Sequence, residues 1–148
     1  MTHSTSLACI RRLMTEGDNI STKDLIKTWG EILEFYNHLI DNEGEQLRPI
    51  RFLVRHIIDR GYSKYLFGGT SLYNLMISIP TTNQIDYTKT LLIEYEQLSQ
   101  IVKFKYWICP KENRTKNNIH WEMDCQTTEV NDTFEYFITQ NDDWNSLI

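Results

Sequence analysis

The chain has 148 residues, 41% of them hydrophobic, and a formal net charge of −5. This length suits one domain with its own hydrophobic core, and no apolar run reaches the roughly 18 residues that a membrane-spanning helix needs. The first residues lack the long apolar stretch of a secretory signal. The three cysteines, Cys9, Cys109 and Cys125, are too widely spaced for a disulfide framework or a zinc ribbon. We therefore expect a cytoplasmic protein with reduced thiols that needs neither a cofactor nor a metal.

The first forty residues show helical periodicity. Apolar side chains at spacings of three and four predict a helix at about residues 4–15. A second helix should follow Ser21, because Asp24 three positions later completes a pattern that resembles a capping box. Gly30 lies inside this second helix, where the close approach of another helix would account for a residue without a side chain. The stripe that we expect to be buried consists of Leu25, Trp29, Ile32, Tyr36 and Leu39.

A third helix is predicted at about residues 48–60, with Pro49 in its first turn. The short loop before it predicts an antiparallel pair with the second helix. Arg48, Arg51 and Arg55 lie together on its outer side at spacings of three and four. Such a row can contact phosphate groups, but on an acidic protein we interpret it as a solvated helix face.

Residues 65–80 fit two structures. As a strand, the segment alternates apolar residues from Tyr73 to Ile79. As a helix, capped by Thr70 or Ser71, it carries an apolar stripe at a spacing of three to four. We favour the strand, because the segment leads directly into a region rich in strand patterns.

Three segments, at residues 91–96, 101–109 and 119–126, alternate between apolar and polar side chains. They are rich in β-branched and aromatic residues and are separated by polar loops, which predicts three consecutive antiparallel strands. A helix over the middle segment would place lysines and apolar residues on the same side. In the third segment, the apolar face is predicted to carry Ile119, Trp121, Met123 and Cys125.

The C-terminal residues predict one more helix. Asp132 followed by Glu135 resembles a capping box, and helical spacing of the apolar residues continues over residues 133–140. A fourth strand with alternate apolar residues turned inward is the competing interpretation. Trp144 is expected to dock on the body of the protein, because a large aromatic side chain is seldom left wholly exposed.

Together these patterns predict a single α+β domain over residues 1–148. Its helical part covers about residues 4–61, its sheet part about 65–126, and a C-terminal helix with a tail the remaining 127–148. Three N-terminal helices would precede an antiparallel meander of three or four strands, which the short helix closes. The second and third helices would cover one face of the sheet and leave the other to solvent or to a partner.

Charge is distributed unevenly along the chain. Residues 118–148 contain seven acidic side chains and no lysine or arginine, and removing this −7 from the total of −5 leaves +2 for the first 117 residues. An acidic surface steers basic partners by its long-range field. We therefore expect a small non-catalytic protein-binding module, with an immunity- or antitoxin-like role in masking a basic partner protein, rather than a protein that binds membranes or nucleic acid. The residues predicted to face the partner are His120, Glu122, Asp124, Asp142, Asp143 and Trp144.

The second interpretation is enzymatic. Gly68 and Gly69, followed by Glu94 and Glu96 on a predicted strand, resemble the motifs of nucleotidyltransferases, including the bacterial kind that is paired with antitoxins. In that family a Gly-Gly or Gly-Ser turn at the end of a strand approaches a triphosphate. Two alternate carboxylates on a later strand bind Mg²⁺, and a third comes from a neighbouring strand. The resemblance implies that these four residues belong to a nucleotide site.

Two lysines across the predicted hairpin, Lys103 and Lys105, offer Glu94 and Glu96 a structural role instead. The architecture distinguishes the two interpretations. A mixed sheet that brings the two glycines beside the glutamates would favour the enzyme, and a plain meander would favour the binding module.

Overall fold

A computed structural model describes residues 21–80, 87–109 and 118–148. The helices are α1 (Thr22–Asp41), α2 (Arg48–Asp59), α3 (Val130–Gln140) and the single turn α4 (Asp142–Asn145). The strands are β1 (Phe67–Ser71), β2 (Asn74–Ile79), β3 (Lys89–Glu96), β4 (Ile101–Ile108) and β5 (Asn118–Cys125). The described ranges also contain 3-10 turns at Glu45–Leu47, Tyr62–Lys64 and Thr127–Glu129. The last of these leads directly into α3.

The five strands form one antiparallel sheet in the order β1-β2-β3-β4-β5. Each strand pairs with the next one in the chain, so the sheet is a plain meander. The α+β class and the antiparallel sheet are confirmed, but the prediction of three or four strands was wrong. Among the described residues, one N-terminal helical region, made of α1 and α2, precedes the sheet, whereas three helices were predicted. The helix expected at residues 4–15 lies outside the described residues.

Helix α1 begins where its capping residue predicts. Ser21 Oγ accepts a hydrogen bond of 3.1 Å from Asp24 N–H, which satisfies one of the free donors at the helix start. Trp29 is fully buried, and its indole Nε1 donates a hydrogen bond of 2.9 Å to Leu66 O. Gly30, by contrast, is exposed, and a Cβ atom there would have no neighbour within 4 Å. Close approach of another helix therefore does not account for it. The predicted stripe residues that are buried are Leu25, Trp29, Ile32 and Tyr36, whereas Leu39 is only partly buried.

Residues 65–80 form a hairpin rather than a single strand. Ser71 and Asn74 are opposite each other at its end, so only two residues make the turn between β1 and β2. The first of them, Leu72, has φ 58°, a backbone conformation that residues other than glycine seldom adopt. Strand was therefore the correct choice over helix for this segment, but the reversal within it was missed.

Strand β1 allows α1 to pack closely on the sheet. A Cβ atom at Gly68 would lie 2.8 Å from Trp29 Cζ2 and 2.8 Å from Ile32 Cδ1, which is closer than such contacts normally are. Only a glycine at this position lets the large Trp29 ring lie directly against the strand. The helix-facing side of the sheet then continues the same core through Leu91 and Phe104.

The pairing of β4 with β5 contains a bulge. Tyr106 is opposite Trp121, but the next residue, Trp107, is opposite Ile119. His120 is therefore an extra residue in β5, and the alternation of its side chains changes side at this point. Ile119 is 51% exposed as a result, so its predicted place on the apolar face was wrong.

Helix α3 packs against α2 through a polar contact. Glu135 Oε2 lies 2.6 Å from His56 Nε2, and Tyr62 Oη donates a hydrogen bond of 3.0 Å to Glu135 Oε1. The side chains of His56 and Glu135 are only partly exposed, so the contact forms at the margin of the core. The predicted C-terminal helix is confirmed, and the competing fourth strand in this segment was wrong. Across the described ranges, no helix is both long and apolar enough to cross a bilayer.

Candidate functional site

The six residues that the sequence places on one partner-facing surface are divided between two ends of the sheet. Asp124 is opposite Lys103 in the pairing of β4 with β5. Asp143 instead forms an ion pair with Lys89, which is opposite Ile108 at the other end of β4. The five-residue step between these two levels corresponds to roughly 17 Å along the strand. Asp124 and Asp143 are therefore not in contact with each other.

Trp144 does not supply the aromatic contact that we expected on that surface. Its side chain is fully buried, and its indole Nε1 donates a hydrogen bond of 3.3 Å to Tyr106 Oη. Trp144 also packs edge-on against the ring of Phe137. Its docking on the body of the protein is confirmed, and its role is to attach α4 to the sheet. His120 and Asp142 are exposed.

The two glutamates of β3 form cross-strand ion pairs. Lys105 Nζ lies 3.2 Å from Glu94 Oε1, and Lys103 Nζ lies 3.6 Å from Glu96 Oε2. Glu96 also accepts a hydrogen bond from Ser99 Oγ, and this bond, assisted by Lys103 and opposed by desolvation, lowers the pKa of Glu96. These two ion pairs connect β3 to β4.

Gly68 and Gly69 do not form a turn. They lie in the middle of β1, opposite Ile77 and Met76 of β2. Strand β2 separates them from β3, which carries both glutamates of the resemblance. The Gly-Gly turn that the resemblance to nucleotidyltransferases implies is therefore not present at these two residues.

A cleft of about 340 Å³ opens between the end of β5 and the start of α3. Asp124 from the strand and Glu129 and Asp132 from the helical segment place three carboxylates at this cleft. None of the three makes an ion pair with any residue that the structure describes. Tyr136, one turn further along α3, is 47% exposed at the same cleft. We call this feature the acidic cleft, and its lining consists of Met123, Asp124, Cys125, Glu129, Asp132, Thr133 and Tyr136.

The start of α3 fixes the acidic side chains in place. Glu129 Oε1 accepts a hydrogen bond of 3.1 Å from Gln126 N–H, which is one half of a capping box. Thr133 Oγ1 donates a hydrogen bond of 2.8 Å back to Glu129 O. Asp132 lies in the first turn of the helix, where the helix dipole favours a negative charge. The local rules for starting a helix therefore also make the cleft acidic.

The thiol in the acidic cleft is unsuited to nucleophilic chemistry. Desolvation by burial is the largest cause and raises the pKa of Cys125. The hydrogen bond with Thr133 opposes it, and the charges of Glu129 and Asp124 add smaller increases. The thiol is therefore protonated at neutral pH and does not offer the thiolate that attacks substrates or binds metals. Within the described ranges, no three His, Cys, Asp or Glu side chains lie close enough together to hold a metal ion.

Six of the seven residues that line the acidic cleft were not among the predicted site residues, and Asp124 is the exception. Glu129, Asp132 and Tyr136 recur at spacings of three and four, which places them on one face of a helix. That signal was present in the sequence, but the predicted helix began only at residue 133. Beginning the helix at the capping box of Gln126 would have revealed the acidic face.

No protein-family model, no curated protein and no solved structure matches this chain. The function is therefore inferred from the geometry of the molecule.

Proposed function

We propose that this protein is a non-catalytic binding module whose acidic cleft takes a basic segment of a partner protein and masks its charge. The observation that carries the proposal is the set of three carboxylates, Asp124, Glu129 and Asp132, at one cleft without cationic partners among the described residues. Grouping like charges costs free energy, and a lysine or arginine from a partner would remove that cost. The exposed ring of Tyr136 adds apolar contact area beside them.

The neighbouring strand supports an extended conformation for the partner segment. Strand β5 is an edge strand, and no described strand pairs with its outer side. An edge strand can accept another chain by main-chain hydrogen bonds, while alternate side chains of the added strand enter pockets beside it. The acidic cleft lies at the end of β5, so a lysine or arginine of an added strand would reach its carboxylates.

The test uses a partner recovered by affinity capture and identified by mass spectrometry, and surface plasmon resonance then measures its binding. In the variants Asp124→Asn and Asp132→Asn we expect the affinity to fall by about tenfold each, because each removes one charged contact. Glu31→Gln and Glu34→Gln are matched controls, since these exposed acids of α1 carry the same charge away from the acidic cleft. The association rate should also fall as salt rises, because the screening length falls from about 10 Å at 0.1 M to about 3 Å at 1 M.

Three outcomes would contradict the proposal. One is a partner whose contact surface is itself acidic, and another is equal binding by the cleft variants and the α1 controls. The third is transfer of a nucleotide in the presence of nucleoside triphosphates and Mg²⁺ that is lost in Glu94→Gln and Glu96→Gln. That activity would restore the enzymatic interpretation.

A further inference from the structure

A second and larger groove, of about 580 Å³, is also lined by residues of the turn at Thr127–Glu129. Helix α2 forms one wall and the first residues of that turn form the other. We call it the arginine groove, and its lining consists of Arg48, Pro49, Arg51, Phe52, Arg55, Thr127 and Thr128. It contains three cations and no carboxylate, which makes it opposite in charge to the acidic cleft.

Two of the three guanidinium groups keep their charge uncompensated. Arg51 Nη1 donates a hydrogen bond of 3.0 Å to Asn37 Oδ1, a neutral acceptor that orients the side chain without cancelling its charge. Arg55 is exposed and makes no ion pair with any residue in the described part of the chain. Arg48 pairs with Glu45 at 3.1 Å, but both side chains are more than half exposed, so this pair is weak. The groove therefore presents oriented positive charge to a ligand.

An exposed aromatic ring lies among these arginines. Phe52 is 60% exposed, on the side of α2 opposite the buried residues Ile50, Leu53, Val54 and Ile57. Pro49 adds further apolar surface on the same wall. A flat apolar surface flanked by guanidinium groups suits a ligand that joins an anion to a planar ring.

We propose that the arginine groove is a binding site for a free nucleotide. Its phosphate would accept hydrogen bonds from Arg51 and Arg55, since guanidinium groups bind phosphate in a bidentate manner. The hydroxyl groups of Thr127 and Thr128 provide further donors on the opposite wall. The base would cover Phe52, because every base has a face that stacks on an aromatic ring.

The size and the surroundings of the groove favour a small ligand over a polymer. A volume of about 580 Å³ lies in the range of sites for small molecules, about 300 to 1,000 Å³. The protein as a whole carries a charge of −5, and its acidic cleft lies next to the groove, so a long polyanion would be repelled beyond its first phosphates. An acidic peptide would need to distribute its carboxylates over the three arginines, and its carboxylates would not stack on the exposed Phe52 ring.

The experiment is a calorimetric titration of the full chain with adenosine monophosphate and, separately, with inorganic phosphate. We expect Arg51→Gln and Arg55→Gln each to weaken the binding of both ligands by about tenfold, because each removes a charge-assisted hydrogen bond. Phe52→Ala should weaken the binding of adenosine monophosphate and leave the binding of inorganic phosphate unchanged, because only the nucleotide has a base. Arg55 and Phe52 are largely exposed, so these two variants keep the fold even if Arg51→Gln disturbs the contact with Asn37.

Lys27→Gln is the matched control, since this exposed lysine of α1 removes the same charge outside the groove. If Lys27→Gln weakened ligand binding as much as the arginine variants do, the effect would come from the net charge of the protein, and the proposal would be overturned. The absence of any binding of adenosine monophosphate at millimolar concentration would also overturn it. Equally tight binding of citrate would assign the groove to carboxylates, and tighter binding of a ten-residue oligothymidylate in proportion to its length would assign it to nucleic acid. Either result would replace the free nucleotide as the ligand.

Discussion

Two glycines show how differently the same residue can act in this fold. Gly30 is exposed in the middle of α1 with open space around it, and Gly68 is buried under the Trp29 ring. We expect Gly30→Ala to raise the free energy of unfolding by about 0.5–1 kcal/mol, because alanine loses less backbone entropy in a helix. We expect Gly68→Ala to lower it by about 1–3 kcal/mol, because the added methyl group must displace Trp29 and Ile32.

Unfolding in urea, followed by far-ultraviolet circular dichroism, measures both changes. Near-ultraviolet circular dichroism should also change in Gly68→Ala, because the Trp29 indole is displaced, and should stay the same in Gly30→Ala. If Gly68→Ala were as stable as the original protein, α1 would not be packed on β1 at the distance described.

At the scale of elements, one carboxylate joins α3 to the first half of the chain. The Glu135 carboxylate contacts the His56 imidazole and accepts a hydrogen bond from the Tyr62 hydroxyl. We expect Glu135→Gln to lower the free energy of unfolding by about 1–3 kcal/mol at neutral pH, because two charge-assisted contacts become weaker neutral ones. Chemical denaturation of this variant provides the measurement. Asp132→Asn, on the same helix but facing the acidic cleft, is the control and should lower stability by less than about 1 kcal/mol, since it loses only its interaction with the helix dipole. A loss no greater than that of the control would show that the link between α2 and α3 does not contribute.

The sequence predicted the structure correctly where a local signal, a capping residue or a helical repeat, decides it. Ser21 sets the start of α1, and the stripe through Trp29 sets its buried face. The turn at Leu72 could not be predicted, because leucine and tyrosine carry no turn signal and the pairing of β1 with β2 forces the positive φ. The bulge at His120 was invisible for a similar reason, since only the partner strand shows that β5 has one residue too many.

The candidate site was predicted only in part for the same physical reason. Asp124 was among the proposed residues, but the other acids of the cleft come from the start of α3. A cleft is made by two elements that meet, and charge along the sequence does not say which acids will share it. Trp144 illustrates the reverse case, because an aromatic residue between exposed acids is buried once α4 turns back on the sheet.

At the scale of the whole molecule, three tyrosines make stability depend on alkaline pH. Burial raises the pKa of Tyr36 and of Tyr106, and burial together with Glu135 raises that of Tyr62, above the ordinary value of 10.0. Between that value and the higher folded values, the unfolded chain loses protons that the folded chain keeps. The folded state then binds more protons than the unfolded state, so stability falls as pH rises above about 10.

We therefore expect the melting temperature to fall steeply above about pH 10. Tyr36→Phe should make that fall shallower, because one group no longer ionises on unfolding. At neutral pH it should cost about 1 kcal/mol, since its hydrogen bond to Tyr73 O is lost. Calorimetry of both proteins between pH 7 and pH 11.5 makes the comparison. An equally steep fall in Tyr36→Phe would remove Tyr36 as a source of the effect.

The meander has a consequence for how the chain reaches this structure. Because every strand pairs with its neighbour in the chain, the sheet can grow by one hairpin at a time, and each step closes only the loop between neighbours. Loop closure of this kind costs less entropy than joining distant segments, which is why folds of low contact order cross their folding barrier more quickly. The distant contacts come from outside the sheet, where Trp29 meets Leu66 and Trp144 meets Tyr106. The contacts of these two indoles therefore form when the helices dock on the sheet, whereas the strand pairs form as the sheet grows locally.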